Sequence, residues 1–463
     1  MSETRRRDKQ MSQQDLPVVI IGAGPVGLAA AAHTVSRRLT ALVLEAGVRV
    51  GYGIRRWGHV RMFSPWRFNV DPTAAAILSR EGWTMPDGDE YPTGNELVER
   101  YLEPFAASKS LRPHIRLNTR VIAVTRQDHD RMKDGGRQDA AFLVRVEGRD
   151  GEQDILARAV IDASGTMEKP GALGASGLPA MGEPASASHI FYGIPDVLGT
   201  ERHRYAGRRV LVAGSGHSAL NALLDLAQLA EEAPGTGITW VIRRPMLGPL
   251  LGGTRQDQLE ERGKLGSRVG TLLNDGRVEL ITAFRIDRVA PSSDGVVVSA
   301  GGRSLPPVDE IIAATGFRPD WSILSEVRLD LDPAVESPRA LAPLIDPNVH
   351  SCGTVPPQGA EELKQPDTNL FVVGMKSYGR APTFLMLTGY EQARSVVSAI
   401  AGDWVAARRV ELVLPETGVC STDRSGDGAS SVPAEPVAIA LGGVSPPRKA
   451  SAAHEAVPGH SGC

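Results

Sequence analysis

Two short glycine clusters in this chain carry the residue types and spacing that hold a pyrophosphate. The first is Gly22-Ala23-Gly24-Pro25-Val26-Gly27, preceded by Val18-Val19-Ile20-Ile21 and followed by Leu28-Ala29-Ala30-Ala31. Four branched apolar residues in a row predict a strand covered on both faces. The first glycine of G-x-G-x-x-G turns the chain, the second lets backbone approach a pyrophosphate, and the third lets the helix pack close. That helix then offers unpaired N–H groups and a positive dipole end to the anion. A second strand, Ala41-Leu42-Val43-Leu44, ends at Glu45, 18 residues past Gly27. A carboxylate there accepts from a free ribose 2′-hydroxyl and repels a 2′-phosphate. Gly22, Gly24, Pro25, Gly27 and Glu45 are therefore expected to hold the adenosine end of FAD or NAD and to refuse NADP.

The same pattern recurs at Arg209-Val210-Leu211-Val212-Ala213-Gly214-Ser215-Gly216-His217-Ser218-Ala219. Alanine is tolerated at the third glycine position, where it only limits helix–strand packing. The following strand, Gly237-Ile238-Thr239-Trp240-Val241-Ile242, ends in Arg243-Arg244, where the first unit has Glu45. Guanidiniums bind a 2′-phosphate by charge-assisted, bidentate bonds, so this contrast of sign assigns NADPH to Gly214, Ser215, Gly216, His217, Ser218, Ala219, Arg243 and Arg244. The competing reading is an arginine pair that caps a surface strand. His217 either caps the turn, touches phosphate or transfers a proton.

Gly51-Tyr52-Gly53-Ile54-Arg55-Arg56-Trp57-Gly58-His59-Val60-Arg61-Met62-Phe63-Ser64-Pro65-Trp66 is dense in aromatics for a chain averaging 5%. Aromatic bodies beside polar tips suit a large planar cofactor, and they also suit a loop that covers a sheet edge. Trp57, His59, Arg61 and Ser64 are the candidates for flavin-side contacts, the last three also for catalysis, and Val121 joins the cofactor set. Each half then returns through a similar strand: Ile161-Asp162-Ala163-Ser164-Gly165-Thr166 and Ile311-Ile312-Ala313-Ala314-Thr315-Gly316. Thr315 and Gly316 are placed at the second nucleotide. Asn369-Leu370-Phe371-Val372-Val373-Gly374 reads as one more buried strand, followed by a helix from Thr388 to Ile400.

These motifs need a doubly wound α/β scaffold, and the composition allows one. The chain has 463 residues, 41% hydrophobic and 23% charged, enough for two or three domains. A formal charge of −3 supplies no field to recruit nucleic acid or an anionic membrane, and no apolar run reaches membrane-spanning length. Cys352, Cys420 and Cys463 stand far apart without metal or redox spacing, which argues for a reducing, cytoplasmic setting and no metal. A helix is expected over 92–105, strands over 115–124, 141–146 and 155–161, a helix over 255–273, and strands near 277–287 and 295–300. Residues 1–15 and the Ser-, Gly-, Pro- and Ala-rich stretch 420–463 read as disordered. Leu414-Pro415-Glu416-Thr417-Gly418 spells a cell-wall sorting motif, but no hydrophobic span and basic tail follow it.

With both units placed, residues 16–405 resemble the class B flavoprotein monooxygenases. The resemblance rests on Gly22–Gly27, Gly214–Ala219, Arg243, Arg244 and Ala314-Thr315-Gly316. The regions 378–390 and Phe63-Ser64-Pro65-Trp66 are similar to flavoproteins of bacterial arsenic-resistance gene islands. The resemblance implies an NADPH-binding domain (196–320) inserted in an FAD-binding domain (16–195 and 321–410), with Gly374 and Thr388 closing over the flavin. It also implies flavin reduction by NADPH and transfer of one oxygen atom from O2 through a C4a-peroxyflavin to a small molecule. A homodimer is left open.

There are departures from the family. Its F-x-G-x-x-x-H signature is only hinted at, with His189 seven residues after Gly182 instead of four. The asparagine that flavin-containing monooxygenases carry near the flavin is not evident around Ser64 and Pro65, and Met375 replaces the carboxylate that often follows the last strand. Cys352, beside His350, either binds a soft substrate such as trivalent arsenic as thiolate or is a small buried hydrophobe. A disulfide-type flavoprotein reductase or NADPH oxidase shares both nucleotide folds, though the reductase needs a cysteine pair. A non-catalytic flavin redox sensor is the alternative from another class.

Overall fold

The computed structural model describes residues 13–247, 260–349, 356–381 and 384–412. The runs expected to be disordered at the two ends, and the sorting-type motif, lie wholly or mostly outside them. Two five-stranded, all-parallel sheets carry the structure. The first has the order Leu370–Val372, Ala159–Asp162, Val18–Ile21, Ala41–Leu44, Ile115–Arg116. The second has Ile190–Tyr192, Glu310–Ala313, Arg209–Ala213, Gly237–Val241, Glu279–Ile281. Read this way, both sheets run edge strand, return strand, glycine-turn strand, second strand, third strand, so the duplication seen in the motifs extends to topology.

Each half also carries a three-stranded antiparallel sheet between its third and return strands, at 120–157 and 288–304. This explains the unbroken apolar runs. Val18 and Ile20 face the helices Pro25–Ser36 and Met386–Ile400, while Val19 and Ile21 face Val124, Phe142 and Val144 of the antiparallel sheet. Val210 and Val212 likewise face the helix side, and Leu211 and Ala213 the antiparallel side. A strand with a core on each side has no solvated face to make polar.

Several expected elements divide where the chain changes sheets. The strand expected over 115–124 is two: Ile115–Arg116 pairs with Ala41–Leu44, and Arg120–Arg126 starts the antiparallel sheet. Asn118, at φ +52°, makes the bend between them. The strand expected over 155–161 also breaks at Arg158, between Gly151–Ala157 and Ala159–Asp162. The helix expected over 92–105 starts on a Thr93–Glu96 capping box but passes through a π turn, Val98–Leu102, before Glu103–Ala107. Pro104 has no N–H for the Arg100 carbonyl, and the Trp83 indole N–H donates to that carbonyl instead at 2.8 Å. Strand Ile190–Tyr192, expected to precede the second domain, is the edge of its sheet. The later helix is described from Glu260 to Asn274, the strand expected near 277–287 is only Glu279–Ile281, and a further strand, Arg288–Ser292, lies beyond it. Among the described residues no helix is long and apolar enough to cross a membrane.

Candidate functional site: two nucleotide turns and the segment between them

In the first turn the Gly22 N–H donates to the Leu44 carbonyl at 2.8 Å, which sets the turn beside the end of the second strand. Gly22 has φ +99°, and a Cβ there would stand 2.8 Å from the Ala163 carbonyl oxygen. At Gly27 a Cβ would fall 2.0 Å from the Gly22 carbonyl oxygen, so helix and turn touch backbone to backbone. Gly24 differs: nothing lies within 4 Å of its absent Cβ, and it is the N-cap of Pro25–Ser36 with no side chain capping it. An open glycine at an uncapped helix start is a cradle that fits a pyrophosphate.

Glu45 is buried, with its carboxylate accepting from the Ala23 N–H at 2.7 Å and the Gly47 N–H at 2.8 Å. The acid thus rims the turn, and each oxygen keeps a further lone pair for a ribose hydroxyl. Val121 lies close by in the chain path, since the Thr119 N–H donates to the Glu45 carbonyl. Its side chain packs into the core between the first parallel sheet and the antiparallel sheet, which leaves only its backbone to face a ligand.

The second turn repeats this plan. Gly214, at φ +134°, would put a Cβ 2.3 Å from the Ala314 carbonyl oxygen, and its N–H donates to the Val241 carbonyl at 3.3 Å. Opener and return therefore touch in both halves, Gly22 on Ala163 and Gly214 on Ala314. Gly216 is again open and uncapped at the start of His217–Glu232. Ala219 is fully buried under the turn, while Ser215, His217 and Ser218 are half-buried around it. Arg243 is exposed and donates to the Ala175 carbonyl at 3.4 Å, and the Arg244 carbonyl accepts from the Ala283 N–H at 2.7 Å. Thr315 Oγ1 donates to the Gly171 carbonyl at 2.5 Å, and Gly316 accepts from the Gly171 N–H at 2.8 Å. These two residues fasten the crossing between the sheets beside the second turn.

The aromatic segment joins the turns. Gly51 N–H donates to the Ala23 carbonyl at 3.0 Å, inside the first turn. Arg56 donates to the Met167 carbonyl at 2.9 Å, and Phe63 rests on the His217 ring of the second turn with centroids 5.4 Å apart. Of the four contact candidates on this segment, three are engaged within the protein. Trp57 packs over Gly94, where a Cβ would stand 3.0 Å from its ring. Ser64 Oγ donates to Asn69 Oδ1 at 2.9 Å, and the Arg61 guanidinium donates to the Tyr91 carbonyl. His59 keeps a buried Nε2 with no partner among the described residues. Burial holds its pKa below the usual histidine value, against the raising pull of Asp196 and the Pro195 carbonyl.

The closing segment packs against Val26, in the helix that follows the first turn. Gly374, at φ +70°, would put a Cβ 3.3 Å from Val26, and its N–H donates to Gln392 Oε1 at 2.8 Å. Thr388 is buried in the first turn of Met386–Ile400. Sequence reasoning missed two groups here. Asn69 is fully buried, bonds the Ser64 and Pro65 carbonyls at 2.7 and 3.0 Å, and accepts from Tyr390 Oη at 2.7 Å. Lys376 is buried against Asp162 at 2.6 Å and Ser164 at 3.2 Å, with Trp321 under its ammonium at 5.2 Å. Its one sequence signal is Asp162, an acid at the end of an apolar strand. Its partner lies 214 residues away and could not be read from spacing. Cys352 and His350 lie outside the described residues, which contain no cysteine and no cluster of three or more His, Cys, Asp or Glu suited to a metal.

Two parallel sheets, each opening on a glycine turn, define a class, the flavoprotein oxidoreductases that pair FAD with a nicotinamide dinucleotide. The chain belongs to the pyridine nucleotide-disulphide oxidoreductase family, whose profile matches residues 19–339. It is 25% identical over 332 residues to a ferredoxin–NADP reductase of Paramagnetospirillum magneticum, covering 70% of this chain and 79% of that protein. It is 26% identical over 215 residues to the indole-3-pyruvate monooxygenase YUCCA1 of Oryza sativa subsp. japonica, 45% of each chain, so it spans under half of that relative. A bacillithiol disulfide reductase from Bacillus cereus shares the fold at a TM-score of 0.61 and 20% identity, over 84% of this chain and 99% of that one. Flavin monooxygenases share it too.

Proposed function

We propose that the protein is an NADPH-dependent FAD monooxygenase acting on a small molecule, with FAD at Gly22–Gly27 and NADPH at Gly214–Ala219. The observation that carries the cofactor pairing is the pair of open, uncapped turns whose second strands end in opposite charge, Glu45 against Arg243 and Arg244, and the monooxygenases among the relatives support oxygenation. Bound FAD supplies hydride acceptance and activation of molecular oxygen. The chain's own groups bind and orient. Glu45 receives the FAD ribose, Gly24 and Gly216 leave room for two pyrophosphates, and Arg243 and Arg244 take the 2′-phosphate. Thr315 and Gly316 border the second nucleotide. The start of Met386–Ile400, at Thr388, favours negative charge beside it by about 0.3–2 kcal/mol. The segment from Trp57 to Ser64 walls the space between the turns from water. We place the start of the inserted domain before Ile190, because that strand pairs with Glu310–Ala313. The likeness of 378–390 and 63–66 to arsenic-island flavoproteins supports a soft nucleophile, such as a trivalent arsenical, as substrate.

A second reading, an NADPH-to-acceptor reductase, is favoured by the longer span of the ferredoxin–NADP reductase match. A disulfide reductase needs a redox cysteine pair, and Cys352, Cys420 and Cys463 stand far apart in the sequence without C-x-x-C spacing. One experiment separates the readings. The yellow protein is reduced anaerobically with NADPH, mixed with 18O2, and offered trivalent arsenicals, amines, sulfides and ketones. A transient absorbing to the blue of oxidised flavin, with 18O in one product, is expected. Reoxidation without that transient and without labelled product, together with fast electron transfer to ferredoxin, would establish the reductase instead.

A further inference from the structure

The two glycine turns are built alike and pinned differently. In the first, the Gly22 carbonyl lies under Gly27, where a Cβ would stand 2.0 Å from its oxygen. In the second, Ala219 takes the place of Gly27 and brings a real Cβ, so that close packing is not available. The second turn is more open. The Gly214 N–H reaches the Val241 carbonyl at 3.3 Å, against 2.8 Å from Gly22 to Leu44, and φ is +134° against +99°. The Gly214 carbonyl is met instead by the indole N–H of Trp240 at 2.7 Å. Trp240 is fully buried, and the residue at its place in the first sheet is Val43, which has no donor. Gly27 with Val43, and Ala219 with Trp240, are two ways to give the carbonyl of the opening glycine a neighbour.

The other side of the same peptide unit is the Ser215 N–H. In a trans peptide the C=O and N–H point apart, so pinning the Gly214 carbonyl against Trp240 turns the Ser215 N–H away from it. In the first turn the matching N–H, of Ala23, donates to the Glu45 carboxylate at 2.7 Å. Register places Ile242 where Glu45 stands, one residue past the carbonyl that accepts from the opening glycine. Its buried alkyl chain accepts nothing, and the Ser215 N–H has no partner among the described residues. The acceptor therefore arrives with the ligand, and the anion that belongs beside Arg243 and Arg244 is the 2′-phosphate. Gly214 has no Cβ to restrain this peptide, so without Trp240 it is free to rotate and present its carbonyl to the anion. We infer that Trp240 is a positioning residue for the 2′-phosphate: its indole N–H fixes the Gly214 peptide so that the Ser215 N–H donates to that group.

The inference rests on the NADPH reading of the second turn, and titrations of the FAD-loaded protein separate the two. NADP+ and NAD+, which differ by the 2′-phosphate, are titrated calorimetrically into wild type, Trp240→Phe and the double variant Trp240→Phe with Ala219→Gly. Trp240→Phe keeps an aromatic ring and loses the donor. It is expected to weaken NADP+ about tenfold, the loss of one such bond, and NAD+ much less. Adding Ala219→Gly lets the helix close on the Gly214 carbonyl as Gly27 does on Gly22. It is expected to recover most of the lost NADP+ affinity, a coupling that simple loss of core packing does not produce. Unchanged NADP+ affinity in Trp240→Phe overturns the inference. So does equal weakening of both dinucleotides, and so does a loss that Ala219→Gly leaves uncorrected. If Trp240→Phe alone is too unstable to titrate, the double variant decides: a wild-type preference for NADP+ supports the inference, and a lost preference overturns it. Wild type that prefers NAD+, or binds neither compound, overturns the NADPH reading itself, and this inference with it.

Discussion

In the proposed function the Glu45 carboxylate and the Arg243–Arg244 pair would give the two turns their different ligands, because a 2′-phosphate is repelled by one and paired by the other. Replacing both arginines by alanine is expected to raise the NADPH KM by about 10–100-fold and leave the NADH KM nearly unchanged, as follows from losing about 1.5–3 kcal/mol of charge-assisted bonding in all at a partly exposed pair. Steady-state kinetics with both dinucleotides checks this, and an unchanged preference would return the pair to a strand-capping role. Asp225, on the helix behind the second turn, makes a separate prediction. Burial pushes its pKa up to about 6, with Arg268 opposing and Asp196 adding to the rise. The folded state therefore holds the proton more tightly than the unfolded chain, and stability falls as pH rises from about 4 to about 6. Asp225→Asn is expected to gain on the order of 1–3 kcal/mol at pH 7 and to flatten that slope, as read from denaturant midpoints across pH.

The glycine turns are elements in which some glycines serve the fold and others the ligand. Gly27→Ala and Gly214→Ala would drive a Cβ to 2.0 and 2.3 Å from carbonyl oxygens, and Gly214 also needs φ +134°. Both are expected to lower the melting temperature, with costs of about 1–3 kcal/mol or more. Gly24→Ala and Gly216→Ala meet nothing within 4 Å. These variants should fold with near-native melting temperatures and lose FAD and NADP+ affinity respectively. Melting curves with flavin content and nucleotide titrations test the division, and a Gly24→Ala protein that retained all its FAD would remove the pyrophosphate from that turn.

At the scale of the whole molecule, the first sheet is completed by a strand that arrives about 350 residues after its centre. Leu370–Val372 adds to Ala159–Asp162, and the buried Lys376–Asp162 pair fixes the closing segment to it. Lys376→Met would leave Asp162 charged with no cation beside it and only the Ser164 N–H bonded to it, a loss of about 3–5 kcal/mol. Chemical unfolding is expected to show that loss, with FAD released earlier than in wild type. The double variant Asp162→Asn with Lys376→Met should recover much of the stability, because no buried charge is then left alone.

Local chemistry made much of this protein legible in its sequence. The two glycine turns, the acid and the arginine pair, the matching return strands and the closing helix all stand within short windows. Their effects are those of a few neighbouring residues: a positive φ, a helix end, a strand buried on both faces. Other features needed the tertiary structure. Runs such as 115–124 and 155–161 look continuous because both of their parts are apolar, and only packing shows that each part belongs to a different sheet. Asn69 and Lys376 gave no usable signal, since what defines them is burial against Ser64, Tyr390 and Asp162. His59, Arg61, Ser64 and Trp57 were equivalent polar or aromatic residues on one segment. The fold alone separated them, by satisfying three with protein partners and leaving the buried His59 Nε2 without one among the described residues. Sequence spacing therefore determined which cofactors the chain is built around. Long-range packing decided which sheet each run joins and which side chains find partners, because those partners come from strands more than a hundred residues apart.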